Sequence, residues 1–237
     1  MNEELRARLM GISTGTLTYQ LLKRNIRNVY MRGVLPLHPL QERMVGVAYT
    51  LRFVPMREDI ADLALLASTQ NLARRAIEEC PAGGVLVTDA RGDRDSGTIG
   101  DILITRLKYR GVAGVVTDGG VRDADAIGDI GLPVFASGPS APASPTAHCP
   151  VGLQEPISCG GVAVYPGDII VADGDGCAVL PQALAEEIAR DAAAQEGIEE
   201  FIQKLVAIGR PVIGTYPASD AVRAEYEEWI KAGKPAL

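Results

Sequence analysis

Apolar and polar positions along this chain switch between a helical period and a strand period, and the switches mark its elements. MNEELRARLM is a charged helix start, and residues 13–24 (STGTLTYQLLKR) read as a short helix with a Ser or Thr cap. Residues 44–54 are β-rich. Asp59 is placed to cap a helix running to about Cys80, with Ile60, Leu63, Ala64, Ala67 and Leu72 spaced near the helical period. A strand at 85–88 follows, then a glycine-containing loop, a helix over about 98–110, a strand at 112–117, a helix from about 123 and a strand at 134–136. That βαβαβ order implies parallel strands whose following loops gather on one edge. After Ser137 a Pro/Ser/Ala loop (SGPSAPASPTAHCP) gives way to meander-like short strands through residue 181, with tight turns at Pro166-Gly167 and Gly174-Asp175. A long helix from Gln182 to about Ile208, the link PVIGTYPASD and a last amphipathic helix ending near Lys231 complete the chain, with no internal repeat.

Composition narrows the class. At 237 residues the chain can bury roughly 70–75% of its unfolded surface, enough for one α/β domain, expected over 1–209 with a C-terminal helical extension over 210–237. Hydrophobic residues at 47% and charged residues at 22% exclude disorder. No apolar run approaches the roughly 20 residues that span a bilayer, and the charged N-terminus is unlike a signal peptide, so no membrane partner and a cytoplasmic location are expected. A net charge of −7 with scattered basic residues argues against nucleic acid. Cys80, Cys149, Cys159 and Cys177 lack CxxC spacing, which signals neither a disulfide framework nor zinc; they read as small buried or half-buried residues. With only His38 and His148, a metal must lean on carboxylates and water, as Mg²⁺ or Mn²⁺ does. Neither GxGxxG nor GxxxxGK[ST] is present, so no dinucleotide or P-loop nucleotide is indicated.

The chemistry concentrates in VAGVVTDGGVRD, residues 112–123, where a buried strand stops at a glycine pair and delivers Arg122 beside Asp123. Ligands of open α/β sheets sit at the carboxyl ends of strands, and Gly119 and Gly120 remove side chains where backbone must approach something closely or take positive φ. The alternative is a surface ion pair at a helix start. A second loop, GDRDSGTIGDIL, places Gly100 and Asp101 in the first turn of a helix whose N–H groups suit a carboxylate. If strands 85–88 and 112–117 are neighbours, Asp101 and Asp123 share one edge, and two carboxylates with one arginine can hold a divalent ion plus an anionic ligand. For Asp101 the competing reading is a helix cap. DGDG at 173–176 reads as a hairpin turn rather than a calcium loop, Lys108 as a solvated lysine, and His148 as a secondary candidate for reaching a ligand.

At these residues the sequence resembles the class II pyruvate aldolases of the 4-hydroxy-4-methyl-2-oxoglutarate aldolase type, together with the regulators of ribonuclease activity A. The resemblance covers nearly the whole chain and rests on GDIL at 100–103, RGVAGVVTDGGVRD at 110–123, PVFASG, and GGVAVYPGDIIVADGDGCAVLP at 160–181. TLTYQLLKR and EEFIQKL…YPASD are similar to a longer branch of the family. It implies an α/β swivelling fold of β/β/α type, assembled as a homotrimer or dimer of trimers with sites between subunits. It also implies that Asp123 binds Mg²⁺ or Mn²⁺ directly, that Asp101 acts through water, and that Arg122 faces the enolate oxygen of pyruvate. Gly100 and the N–H groups of Ile102 and Leu103 would hold the pyruvate carboxylate. Glu199 of a neighbouring subunit, with Glu196 and Glu200 beside it, is the match for a glutamate that completes the water shell. The expected activity is a divalent-metal-dependent lyase cleaving a 4-hydroxy-2-keto acid to pyruvate, with oxaloacetate decarboxylation as a second activity. Alternatives are a dehydratase or decarboxylase of a sugar-derived keto acid, and a non-catalytic regulator docking on a ribonuclease. Asp101 agrees with the aldolases, where some of the longer branch carry a small residue; residues 137–154 do not match the aldolase pattern closely.

Overall fold

One long strand organises the sheet. The computed structural model describes residues 1–39, 43–59 and 68–236. After β1 (Leu35–Pro36), strand β2 (Met44–Pro55) pairs in parallel with β3 (Gly84–Asp89) and antiparallel with β11 (Ile169–Asp173). Its far half, from Leu51 to Pro55, also pairs antiparallel with β8 (His148–Leu153), with an irregularity between Arg52 and Phe53. With β4 (Gly114–Thr117), β6 (Val134–Ala136) and β12 (Gly176–Leu180), the strand order is β1-β6-β4-β3-β2-β11-β12. The two edges nearly meet. Residues 29–31 bond to β12 (Met31 N to Cys177 O, 3.0 Å; Val179 N to Val29 O, 2.8 Å), and five residues later β1 pairs with β6. The sheet is therefore an almost closed barrel, which leaves little free edge.

Strand alternation divides the apolar side chains between the two surfaces of that barrel. Val85, Val87, Val116, Phe135, Ile170, Cys177 and Val179 pack inside, where the hairpin of β9 (Ile157–Cys159) and β10 (Val162–Val164) adds to them. Leu86, Val115 and Val134 face outward beneath three helices: α3 (Leu72–Glu79), α4 (Asp101–Tyr109) and α5 (Ala124–Ile130). Val45, Ile169, Val171 and Leu180 lie beneath α1 (Glu3–Met10), α2 (Thr14–Lys23) and the first half of α6 (Ala185–Ala207). The second half of α6 leaves the barrel and, through Phe201, Ile202 and Leu205, forms a small separate core with Val222 and Trp229 of α7 (Asp220–Lys231). Among the described residues no helix is long and apolar enough to cross a membrane.

Two expectations change. Of the helix expected from Asp59, residues 60–67 lie outside the described residues; α3 starts afresh at Leu72, because the Asn71 side chain accepts the Arg74 N–H at 3.1 Å and caps it. Asp59 pairs with Arg57 at 2.5 Å. Two-residue strands β5 (Gly120–Val121) and β7 (Gly138–Pro139) pair in parallel beyond the ends of β4 and β6, and Gly97 bridges to Gly120 and Ala143. Such short glycine-containing pairs leave no periodicity to read, and they form only because the parallel strands bring their loops together.

Candidate active site

Parallel pairing of β3 with β4 (Val85↔Gly114 to Thr88↔Thr117) puts their following loops on one edge, as the strand order required. The glycine pair is where those loops cross. A Cβ on Gly119 would lie 2.6 Å from Ala90 Cβ and 3.0 Å from Asp93 O, and one on Gly120 would lie 2.5 Å from Ser140 Cβ and 3.0 Å from Arg94 O. Close backbone approach, not positive φ, is what these two glycines supply. Arg122 and Asp123 thus follow β5, fixed one layer beyond β4, with the Arg122 N–H bonded to Ile99 O at 2.9 Å.

Asp123 occupies the N-cap position of α5 in the left-handed region, φ 58°, yet its side chain caps nothing. Aspartate visits this region more readily than most residues, at a cost of order 1 kcal/mol, so a packed frame is needed to hold it there. Its Oδ2 rests over Gly100, 2.7 Å from where a Cβ would be, while Arg122 Cγ lies 2.4 Å from the Cβ position of Gly97. Both side chains are exposed, and among the described residues neither makes an ion pair or hydrogen bond. The pair is therefore not a surface ion pair. It is a carboxylate and a guanidinium with all their bonding capacity open, seated on two glycines three residues apart.

Gly100 is the N-cap of α4, so Asp101 is its first helical residue rather than its cap. Asp101 Oδ1 accepts the Ile102 N–H at 2.7 Å, and the Leu103 N–H reaches Gly100 O at 3.2 Å. Both N–H groups assigned to a substrate carboxylate are thus engaged within the chain, and Ile102 presents a 78% exposed side chain beside them. Among the described residues no group of three or more His, Cys, Asp or Glu side chains gathers for a metal. The donor set fits a hard divalent ion that takes Asp123 from this chain and fills its remaining positions with water or a further carboxylate.

The three candidate glutamates on α6 separate clearly. Glu196 accepts the Ser13 N–H (2.9 Å) and Oγ–H (2.8 Å), bonds that outweigh its burial and hold its carboxyl below the usual range; Glu200 pairs with Lys204 and Lys234. Among the described residues Glu199 meets only the Gln195 amide, at 2.9 Å. His148 is 1% exposed, its ring 5.2 Å from that of Phe53, and burial pushes its pKa down; it belongs to the core and does not reach a ligand from the loop. Lys108 is exposed and bonds to the Ile130 carbonyl. DGDG is the β11–β12 turn, and Asp173 is occupied by the Thr14 N–H and hydroxyl. All four cysteines are free and buried.

The profile of the RraA-like family, described as Aldolase/RraA, matches residues 14–179 and so takes in both loops of this site. The chain belongs to the RraA-like family. A relative from Halalkalibacterium halodurans, named "Putative 4-hydroxy-4-methyl-2-oxoglutarate aldolase", is 35% identical over 153 residues, 64% of this chain and 72% of that protein. Among solved structures, Streptomyces coelicolor RraAS2, titled an unusual member of the RNase ES inhibitor RraA protein family, matches with TM-score 0.77 at 35% identity over 86% of this chain and 97% of that one. A Pseudomonas syringae pv. tomato protein matches with TM-score 0.77 at 26% identity over 91% and 98%. RraA-like membership agrees with the aldolase and regulator resemblance read from the sequence, and the mixed α/β barrel is the fold these neighbours share. Gly100 carries an expected substrate role, whereas Gly97, under Arg122, is a site position that no motif in the sequence marks. Their three-residue spacing under Arg122 and Asp123 was the available signal.

Proposed function

We propose that this chain is a divalent-metal-dependent lyase that cleaves a 4-hydroxy-2-keto acid to pyruvate, with oxaloacetate decarboxylation as a second activity. The observation that carries the reading is the uncommitted Asp123 carboxylate beside the uncommitted Arg122 guanidinium at the N-terminus of α4. Asp123 would hold Mg²⁺ or Mn²⁺ directly, with Asp101 and Glu199 of a neighbouring subunit reached through water in a trimer or dimer of trimers. A divalent ion there supplies Lewis acidity to the carboxylate and keto oxygens of the substrate.

The side chains do the rest. Arg122 binds the keto oxygen and holds the negative charge that builds on it as C3–C4 breaks, a permanent charge placed before the reaction begins. Asp101 turns away from the Ile102 N–H, and that freed N–H, at the start of α4 between Gly100 and Leu103, then orients the substrate carboxylate. Asp101, so released, takes the C4 hydroxyl proton through water, and a proton returns to C3 by the same route. Loss of CO₂ from oxaloacetate leaves the same charge on the same oxygen, which is why Arg122 serves both reactions.

The test is pyruvate release from oxaloacetate and from 4-hydroxy-4-methyl-2-oxoglutarate with Mg²⁺, Mn²⁺ or chelator, for wild type and Asp123→Asn. Asparagine tolerates the left-handed conformation, so the fold should survive while turnover falls by at least about 100-fold. Turnover that survives chelator, or that Asp123→Asn leaves unchanged, sinks the proposal. The alternative dehydration or decarboxylation of a sugar-derived keto acid is separated by product analysis. A second reading rests on the likeness to RraAS2: docking on a ribonuclease, an interaction that Asp123→Asn should leave intact.

A further inference from the structure

Asp89 and Asp118 face the barrel interior. Asp89 follows Val85 and Val87 at two-residue spacing, and Asp118 stands in the same relation to Val116, while the outward residues Leu86 and Val115 lie under the helices. The candidate active site is at the N-termini of α4 and α5, in the helix layer on the outer face. The two aspartates therefore belong to a separate space, a cavity of about 600 Å³ at the barrel mouth beside the β9–β10 hairpin, lined also by Arg32, Arg94, Ser137 and Ser158. Barrel mouths are a common place for small-ligand sites.

The floor of this cavity is rigid. Asp118 accepts N–H groups from Ala90 (2.7 Å) and Gly160 (3.3 Å), and Asp89 accepts them from Arg91 (2.9 Å) and Ser158 (3.2 Å). Each carboxylate thereby pins the 90–92 loop to the hairpin. Asp89 and Asp118, at 8% and 6% exposure, are held against the cavity by backbone N–H groups, Asp118 taking a third from Gly92, and each carboxylate keeps at least one acceptor site for another donor. The rim is the reverse. Arg94 Nη2 lies 2.8 Å from the Cβ position of Gly33, the residue after Arg32, and Arg32 Nη1 lies 3.7 Å from the Cβ position of Gly161. Both arginines line this one cavity, and among the described residues neither guanidinium has a hydrogen-bond or ion-pair partner. Arg91, the third arginine at the rim, is turned to Asp93 and Ala147 O.

We infer that this cavity binds a small polyhydroxylated carboxylate: the acid group between Arg32 and Arg94, the hydroxyls donating to Asp89 and Asp118. Donors only at the rim and acceptors only among the acidic floor groups select such a molecule. A plain dicarboxylate would press its second charge on Asp89 and Asp118, and inorganic phosphate brings too few O–H donors to satisfy both. The inference does not depend on the lyase reading, since it uses none of the same residues.

Calorimetric titration of the full chain in chelator tests it, with gluconate, glycerate, succinate and inorganic phosphate as probes. Gluconate or glycerate should bind about tenfold or more tightly than succinate and phosphate, the worth of one charge-assisted hydrogen bond. Arg32→Gln/Arg94→Gln should lose that binding by about tenfold or more, while Asp123→Asn retains it. Both arginines are exposed and unpartnered, so the double variant should melt with wild type; Arg94→Glu, which reverses one rim charge, is the second variant and should weaken binding similarly. Equal binding of succinate or phosphate overturns the inference, as does binding unchanged in either arginine variant. Loss in Asp123→Asn would place the acid at the other site, and no binding of any probe up to on the order of 10 mM would remove the cavity's claim to a ligand.

Discussion

Gly100→Ala separates the candidate site from the fold more sharply than removal of a charged residue would. Gly100 is extended (φ −135°), so alanine incurs no backbone strain, and at an N-cap the two residues differ by about 1 kcal/mol or less. The added Cβ meets one thing closely, Asp123 Oδ2 at 2.7 Å, which is the free end of a side chain with no other bond. Restoring an ordinary 3.4 Å contact displaces that oxygen by about 0.7 Å, and misplacement on this scale costs about 10–100-fold in catalysis, or about 1.4–2.7 kcal/mol of transition-state stabilisation. The expected result is a kcat/KM for Mn²⁺-dependent pyruvate release from oxaloacetate lowered by that factor, with melting in chelator changed by no more than about 4 °C. Gly97→Ala is the contrast. Its Cβ would meet Arg122 Cγ at 2.4 Å and also the backbone at Arg122 N (3.0 Å) and Ser140 O (3.1 Å), so it should cost about 1–3 kcal/mol of stability. If Gly100→Ala keeps kcat/KM within about twofold of wild type, Asp123 is not held where the reaction needs it, and the reasoning from the glycine seat fails.

Three further outcomes are expected. Gly119→Ala, whose Cβ would lie 2.6 Å from Ala90 Cβ and 3.0 Å from the Asp93 carbonyl, should lower stability in urea denaturation by about 1–3 kcal/mol; a neutral result would show that the 90–93 loop yields freely. Burial holds the His148 pKa below histidine's 6.5, so the unfolded chain takes up a proton that the folded chain refuses. Its contribution is complete above pH 6.5 and is lost as pH falls below it, at up to about 1.4 kcal/mol per pH unit, and His148→Leu should flatten that slope in denaturation measured at several pH values. Phe201→Ala should remove about 3–5 kcal/mol from the small core that holds the chain's one tryptophan, Trp229. Because that core stands apart from the barrel, Trp229 fluorescence should then lose its native signal at lower urea than the far-ultraviolet signal of the whole chain; coincident transitions would refute the separation.

The parallel unit was legible because each of its strands is a short apolar run and each of its helices carries the other period. Val85, Val87, Leu86 and Val115 state their two faces outright, and from the order alone it followed that the loops after β3 and β4 meet. Asn71 shows the opposite case. It caps α3 at Leu72, within a stretch whose apolar spacing reads as one helix, because a cap is a side-chain to backbone bond that the period does not record. His148 also escaped the sequence, since a Pro-rich loop looks exposed until β8 is seen to pair with β2 and bury the histidine on Phe53.

The sequence by itself determined the residue types of the candidate site, its position at the ends of parallel strands and the hardness of any metal it would hold, because these depend on local pattern and on the near absence of histidine. Tertiary structure decided what each group is free to do. Among the described residues it left Asp123, Arg122, Arg32 and Arg94 without partners, and it engaged Glu196 with Ser13, closed the sheet through residues 29–36, and set Asp89 and Asp118 in one cavity with the two arginines. Such facts depend on which segments approach one another across tens to more than a hundred residues. A local pattern records the preference of each segment, whereas the meeting of two distant segments is fixed only when the packed barrel makes one arrangement of all of them lowest in free energy.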